Sequence, residues 1–149
     1  MTTEAHLCEN CTGPVDPFLA GETGLILHRT IRLDLTGHTW AKTRLSMNDR
    51  LYPYERNRRT QIWKRLAAKA AANCQPLDWA RIVIYYRYPT NHRREVNNLM
   101  PTSKAIVDGL VKAGVLADDN DTRVVGPDNR REPVNGPHQV IVRLYRRAE

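Results

Sequence analysis

Trp79-Ala80-Arg81-Ile82-Val83-Ile84-Tyr85-Tyr86-Arg87-Tyr88 is the stretch that decides the fold class. Its β-branched and aromatic side chains suit a pleated, buried surface, so it is read as a strand. Pro89 ends it, and Arg93-Arg94-Glu95-Val96-Asn97-Asn98-Leu99 follows. If that segment stays extended, Glu95 and Asn97 stand two residues apart and point to one side. Pro101-Thr102-Ser103 then opens a helix, with Thr102 or Ser103 as its N-cap. Ile106, Val107, Leu110 and Val111 form its buried face, and Gly114 is a natural stop. Lys104 and Asp108 lie four residues apart, the spacing of a surface ion pair.

Upstream, Leu25, Leu27, Ile31, Leu33 and Leu35 alternate as in a strand with one buried face. Gly37-His38 reads as a turn, Thr39 to Leu45 as a second strand or extended return, and Ser46 to Asp49 as a loop. Pro53 precedes a helix from about Tyr54 to Ala72, with Ile62, Trp63, Leu66, Ala67 and Ala70 on its apolar face. Asn73 and Pro76 end that helix. Downstream, Thr122 to Val125 reads as a short strand, Gly126 to Pro137 as a polar loop, and Gln139 to Tyr145 as a closing strand. Strand, helix, strand, helix, short strand and strand make an α+β domain: a mixed sheet with two main helices packed on it.

The chain of 149 residues is long enough to bury a core as one domain. Residues 1–24 read as an irregular N-terminal arm and residues 25–149 as the folded domain. In the arm, His6, Cys8 and Cys11 give three zinc-type ligands. A structural zinc site wants four, so the expected state is reduced thiols without metal or disulfide. No apolar run approaches membrane-spanning length. Met1 to Glu9 lacks the basic and apolar regions of a signal peptide, so a cytoplasmic location is expected.

The formal net charge is +7, and it is concentrated. Lys42 to Lys69 holds nine Lys/Arg against Asp49 and Glu55, while the remaining charges cancel. One concentrated basic segment is the footprint of a polyanion binder. Arg50, Arg56, Arg58, Arg59, Lys64 and Arg65, with Arg93 and Arg94, are the candidate DNA contacts. Glu95, Asn97, Asp118 and Asp119 offer the oxygen ligands that suit Mg²⁺, with Mn²⁺ as a substitute. Lys104 could stabilise charge on a transferred phosphate. Asp118 to Asp121 read equally as a plain polar turn, and Glu95 as a surface charge.

Three blocks in fixed order resemble the signature of the RusA family of Holliday junction resolvases, frequent in bacteriophages. They are Arg93-Arg94-Glu95-Val96-Asn97-Asn98-Leu99, Lys104-Ala105-Ile106-Val107-Asp108-Gly109-Leu110, and Lys112-Ala113-Gly114-Val115-Leu116-Ala117-Asp118-Asp119. Leu45-Ser46-Met47-Asn48-Asp49-Arg50-Leu51, before a basic helix with Trp63, looks like the family's Asn-containing loop and first helix. The resemblance spans roughly residues 25 to 147. It implies a homodimeric, Mg²⁺-dependent endonuclease, a hydrolase that makes paired nicks in four-way DNA junctions during recombination and repair. It carries the metal-binding and catalytic roles to Glu95, Asn97 and Asp119, and the functional lysine to Lys104; Asp118 is the neighbouring acid. Three departures stand out. Glu95 and Asn97 replace the family's aspartates, and three additional residues lie between Leu99 and Lys104. The first two imply an alternative, a junction-binding protein whose cleavage is weakened or lost.

Overall fold

A computed structural model describes residues 24–35, 37–118, 120 and 122–148 of the chain. The expected arm, with His6, Cys8 and Cys11, lies outside the described residues. So does Asp119.

The elements run in the order β1 (Leu25–Asp34), α1 (Trp40–Thr43), α2 (Pro53–Ala70), β2 (Ala80–Arg87), α3 (Met100–Lys112), β3 (Val124–Arg131) and β4 (Gln139–Arg147). A 3-10 turn, Val96–Leu99, leads into α3. The sheet is mixed, with strand order β1-β4-β2-β3. β4 is antiparallel to both β1 and β2, and β2 is parallel to β3. The fold is therefore α+β, as the sequence predicts. No described helix is long and apolar enough to cross a membrane.

α2 and α3 cover one face of the sheet. Trp63 and Ala67 of α2 and Ile106, Val107 and Leu110 of α3 meet Ile82, Ile84, Tyr86, Val140, Val142 and Leu144 in the main core. β2 and β4 give every second side chain to this face. The intervening residues Val83, Tyr85, Ile141 and Tyr145 join Leu25 and Leu27 in a smaller cluster on the opposite face. The helices touch closely at Gly109. A Cβ there would stand 2.5 Å from the Lys64 carbonyl oxygen and 2.9 Å from the Ala67 Cβ. Backbone cannot yield as a side-chain tip can, so Gly109→Ala is expected to cost about 1–3 kcal/mol through overpacking. A urea midpoint equal to the parent's would refute this.

Four sequence expectations are corrected. First, the alternation in β1 does not line one face. The pairing with β4 slips between Leu27 and Arg29, so one extra residue bulges the strand. That slip sends Leu25 and Leu27 to the smaller cluster and Ile31 and Leu33 to the main core. Second, Thr39 to Leu45 is no strand. Trp40–Thr43 forms one helical turn, anchored where the Trp63 indole N–H donates to the Thr43 carbonyl at 2.8 Å. Third, α3 begins at Met100 with Pro101 in its first turn. Pro fits a first turn because its missing N–H would find no partner there. Fourth, residues read as the loop from Gly126 continue β3 to Arg131. The Gly-Pro pair marks a bulge, because Arg81 and Val83 of β2 face Val125 and Asp128 across it. The buried Arg81 side chain fills the irregularity. Its guanidinium donates to the Ile82 and Val125 carbonyls at 3.1 and 3.3 Å and pairs with Asp128 at 2.5 Å.

Candidate functional site

β2 delivers the chain to its carboxyl edge at Tyr88, where the loop Thr90–Arg94 is held by two arginines. Arg94 donates to the Thr90 carbonyl at 3.1 Å and the Thr90 hydroxyl at 3.1 Å. Arg131, at the end of β3, donates to the His92 and Thr90 carbonyls at 2.6 Å each. Both guanidiniums lie against the Tyr88 ring, at 4.2 and 5.2 Å from its centroid. Arg94 thus staples its own loop, whereas Arg93 is exposed.

The next segment carries Glu95 and Asn97. Glu95 is extended, but Val96–Leu99 is a 3-10 turn. Successive side chains there rotate by about a third of a turn. The two-residue alternation of a strand therefore does not apply to Glu95 and Asn97. A buried polar relay holds the segment. Tyr86 donates its hydroxyl to Ser103 Oγ at 2.5 Å, Ser103 donates to Asn129 Oδ1 at 2.6 Å, and Asn129 Nδ2 donates to the Val96 carbonyl at 2.9 Å. Burial pushes the Tyr86 phenol above its ordinary pKa and keeps it a donor.

Thr102 is also used away from the helix end. Its hydroxyl accepts from the Leu45 N–H at 2.8 Å and donates to the Leu45 carbonyl at 2.7 Å. The two residues expected to compete for the cap instead bind elements far away in sequence. Asp49 turns the adjoining loop by accepting from the Ser46 N–H at 2.7 Å and pairing with Arg44 at 3.2 Å. The Met47 N–H then donates to the Asn98 carbonyl at 2.8 Å. The Asn48 loop and the Glu95–Asn98 segment are thereby fixed side by side.

Between them opens a cavity of about 240 Å³, lined by Trp40, Arg44, Ser46, Tyr88, Arg94 and Glu95 among others. His138 packs beside it, stacked on Trp40 at 5.3 Å between centroids and edge-on to Tyr88 at 5.6 Å. Burial, then the charge of Arg94, lowers the His138 pKa, so the ring sits neutral between its aromatic neighbours. Sequence reasoning missed Trp40, Tyr88 and His138 as site residues. They come from three distant segments with no common spacing.

The other candidate residues are dispersed. Lys104 is exposed on α3 and makes the expected pair with Asp108 at 2.8 Å. Asp118 is exposed and accepts from Asn120 at 3.1 Å. It follows α3 and precedes β3, at the amino edge of the parallel strands. Glu95 precedes α3, at the carboxyl edge. The thirteen residues of α3 separate the two edges by about 20 Å of helix. One chain does not bring Glu95 and Asp118 together, and no group of three His, Cys, Asp or Glu suited to a metal occurs among the described residues.

On the basic segment, Arg50, Arg56, Arg58 and Arg65 are exposed, while Lys64 and Arg59 are half-buried. Arg58 and Arg59 both clamp Glu55 at 2.8 Å. Hydrogen bonds from these two guanidiniums hold the Glu55 carboxyl down at about 2. Arg59 also donates to the Arg44 carbonyl at 2.8 Å, tying α2 to the chain after α1. Arg50, Arg56 and Arg65 remain as exposed cations outside that cluster.

No protein-family model and no curated protein matches the chain. Among solved structures, it is similar to a thiamine-monophosphate kinase from Stenotrophomonas maltophilia K279a at 14% identity. That likeness covers 83% of this chain and 31% of the kinase chain with a TM-score of 0.34, a level that carries no argument. The chain thus spans under a third of that protein's length.

Proposed function

We propose that the chain is a RusA-like, Mg²⁺-dependent endonuclease that cuts four-way DNA junctions by paired nicks in recombination and repair. The reading places it in the cytoplasm, the host's if the chain is phage-encoded. The observation that carries it is the docking of the Asn48 loop onto the Glu95–Asn98 segment through Met47 and Asn98. Two sequence blocks separated by some fifty residues thereby meet at one exposed edge beside the basic segment.

The residues of that edge fit a magnesium ion in a minimal way. Mg²⁺ is commonly held by one or two carboxylates together with waters and substrate phosphates. Glu95 supplies a carboxylate and Asn97 an amide oxygen; both are exposed. When bound, such an ion activates water and neutralises charge on the leaving oxygen. The chain's own part is to fix these oxygens through the Tyr86–Ser103–Asn129 relay and to keep cations near the phosphates. Arg93 and Arg50 suit the flanking backbone, and Lys104 suits the phosphate at the cut.

Asp118 would serve the same ion only from another chain, since it belongs to the opposite edge. The reading therefore requires a homodimer, which also provides one site for each of two strands.

The test is nicking of a fixed four-way junction with Mg²⁺ or Mn²⁺, beside a gel shift of the same DNA in EDTA. Paired nicks support the endonuclease. A protein that neither binds nor nicks refutes it. A shift without nicks favours the second reading, a junction binder, which the exposed amide at Asn97 specifically motivates. Asn97→Asp is then expected to restore cleavage, because it returns a full negative charge to the ligand set.

A further inference from the structure

Five large hydrophobic side chains are exposed among the described residues, and three of them, Met47, Tyr52 and Tyr54, fall within eight positions. Tyr52 is 72% exposed and Tyr54 74%. Their rings nevertheless stack on one another, with centroids 5.9 Å apart and planes within 9°. The backbone prepares that pose. Tyr52 is the extended N-cap of α2, and Pro53 fixes the turn between the two rings. Exposed Arg50 and Arg56 flank the pair.

We infer that the Tyr52–Tyr54 pair is a stacking platform for an unpaired nucleobase of the bound DNA, an inference that rests on the DNA reading above. Aromatic faces in a basic groove hold single-stranded nucleic acid in this way, because every base has a face to stack. The neighbouring guanidiniums meet the phosphates on either side of the stacked base. The Met47–Asn98 bond ties this loop to the segment bearing Glu95. A base seated on the platform therefore holds its strand close to the proposed cut. A second copy of this chain is the poorer occupant. Two-fold contact through this patch would press Arg50 and Arg56 of both copies together.

The experiment uses the full chain and fluorescence anisotropy with three DNAs: oligothymidylate, an abasic oligonucleotide of equal length, and a four-way junction. The parent is expected to prefer oligothymidylate over the abasic strand. The Tyr52→Ala/Tyr54→Ala double variant should lose at least about fivefold in affinity for oligothymidylate. It should bind the abasic strand like the parent, with an unchanged salt slope. Tyr52→Phe/Tyr54→Phe, which keeps the faces and removes the hydroxyls, should bind like the parent. Both positions are exposed, so the double variants should melt with the parent. Equal parent affinity for the two oligonucleotides overturns the platform while leaving junction binding intact. An Ala variant that turns monomeric with unchanged DNA affinity overturns it too, making the rings a subunit contact. Failure of the parent to bind any of the three DNAs overturns the DNA reading and the platform together.

Discussion

A Glu95→Gln chain will nick a four-way junction about 10²- to 10³-fold more slowly than its parent, yet shift the same junction in EDTA equally well. Losing one preorganised electrostatic partner of a transition state typically costs that much, and here the lost group is the carboxylate proposed to hold magnesium. The substitution removes a charge and keeps the shape. Stability should not confuse the result, because Glu95 is exposed and its side chain makes no capping hydrogen bond to the turn it precedes. Undiminished nicking by this variant would remove Glu95 from the metal site and leave the endonuclease reading without its carboxyl-edge ligand.

The second large effect is on folding. Arg81→Ala is expected to lower stability by about 3 kcal/mol, as when two backbone acceptors lose a shared donor. That amounts to a drop in Tm of roughly 6–12 °C for a chain of this size. The side chain is 6% exposed, and its guanidinium satisfies two carbonyls at the β3 bulge as well as Asp128. Removing it strands those acceptors away from water. Asp128 is 43% exposed, and Asp128→Asn keeps an amide oxygen as acceptor for the buried guanidinium, so it should cost less, about 1 kcal/mol. Thermal melts of the two variants decide the matter. Equal losses would mean that the ion pair, rather than the carbonyl contacts, dominates.

The helices and most strands were legible because their periods are local. Ile62, Trp63 and Ala67 repeat on one face of α2, and Trp79 to Tyr88 carries a strand's composition. What escaped depended on distant partners. Thr102 and Ser103 look like a cap, but their hydroxyls serve Leu45, Tyr86 and Asn129. The Gly126-Pro127 pair looks like a loop, yet Arg81 completes the strand across it. Leu25, Leu27, Ile31 and Leu33 look like one face until a single slip against β4 divides them. At the candidate site, the spacing of Glu95 and Asn97 was visible while its geometry was not, because the turn at Val96–Leu99 is secured from β3. The separation of Asp118 from Glu95 follows from the parallel pairing of β2 with β3, which no local pattern announces.

The strand order has a consequence for how the chain is made. β4 spans Gln139–Arg147, yet it is an interior strand, lying between β1 and β2. Synthesis runs from the amino end, so β1 waits unpaired while more than a hundred residues emerge behind it. β2, α3 and β3 can close locally as a crossover unit, but β1 has no neighbour in the sheet until residue 147 has left the ribosome. Sheet completion thus waits for β4, through a pairing such as Leu25 with Arg147 that spans nearly the whole described chain. During that interval the exposed edge of β1 is the part of the nascent protein most in need of a chaperone.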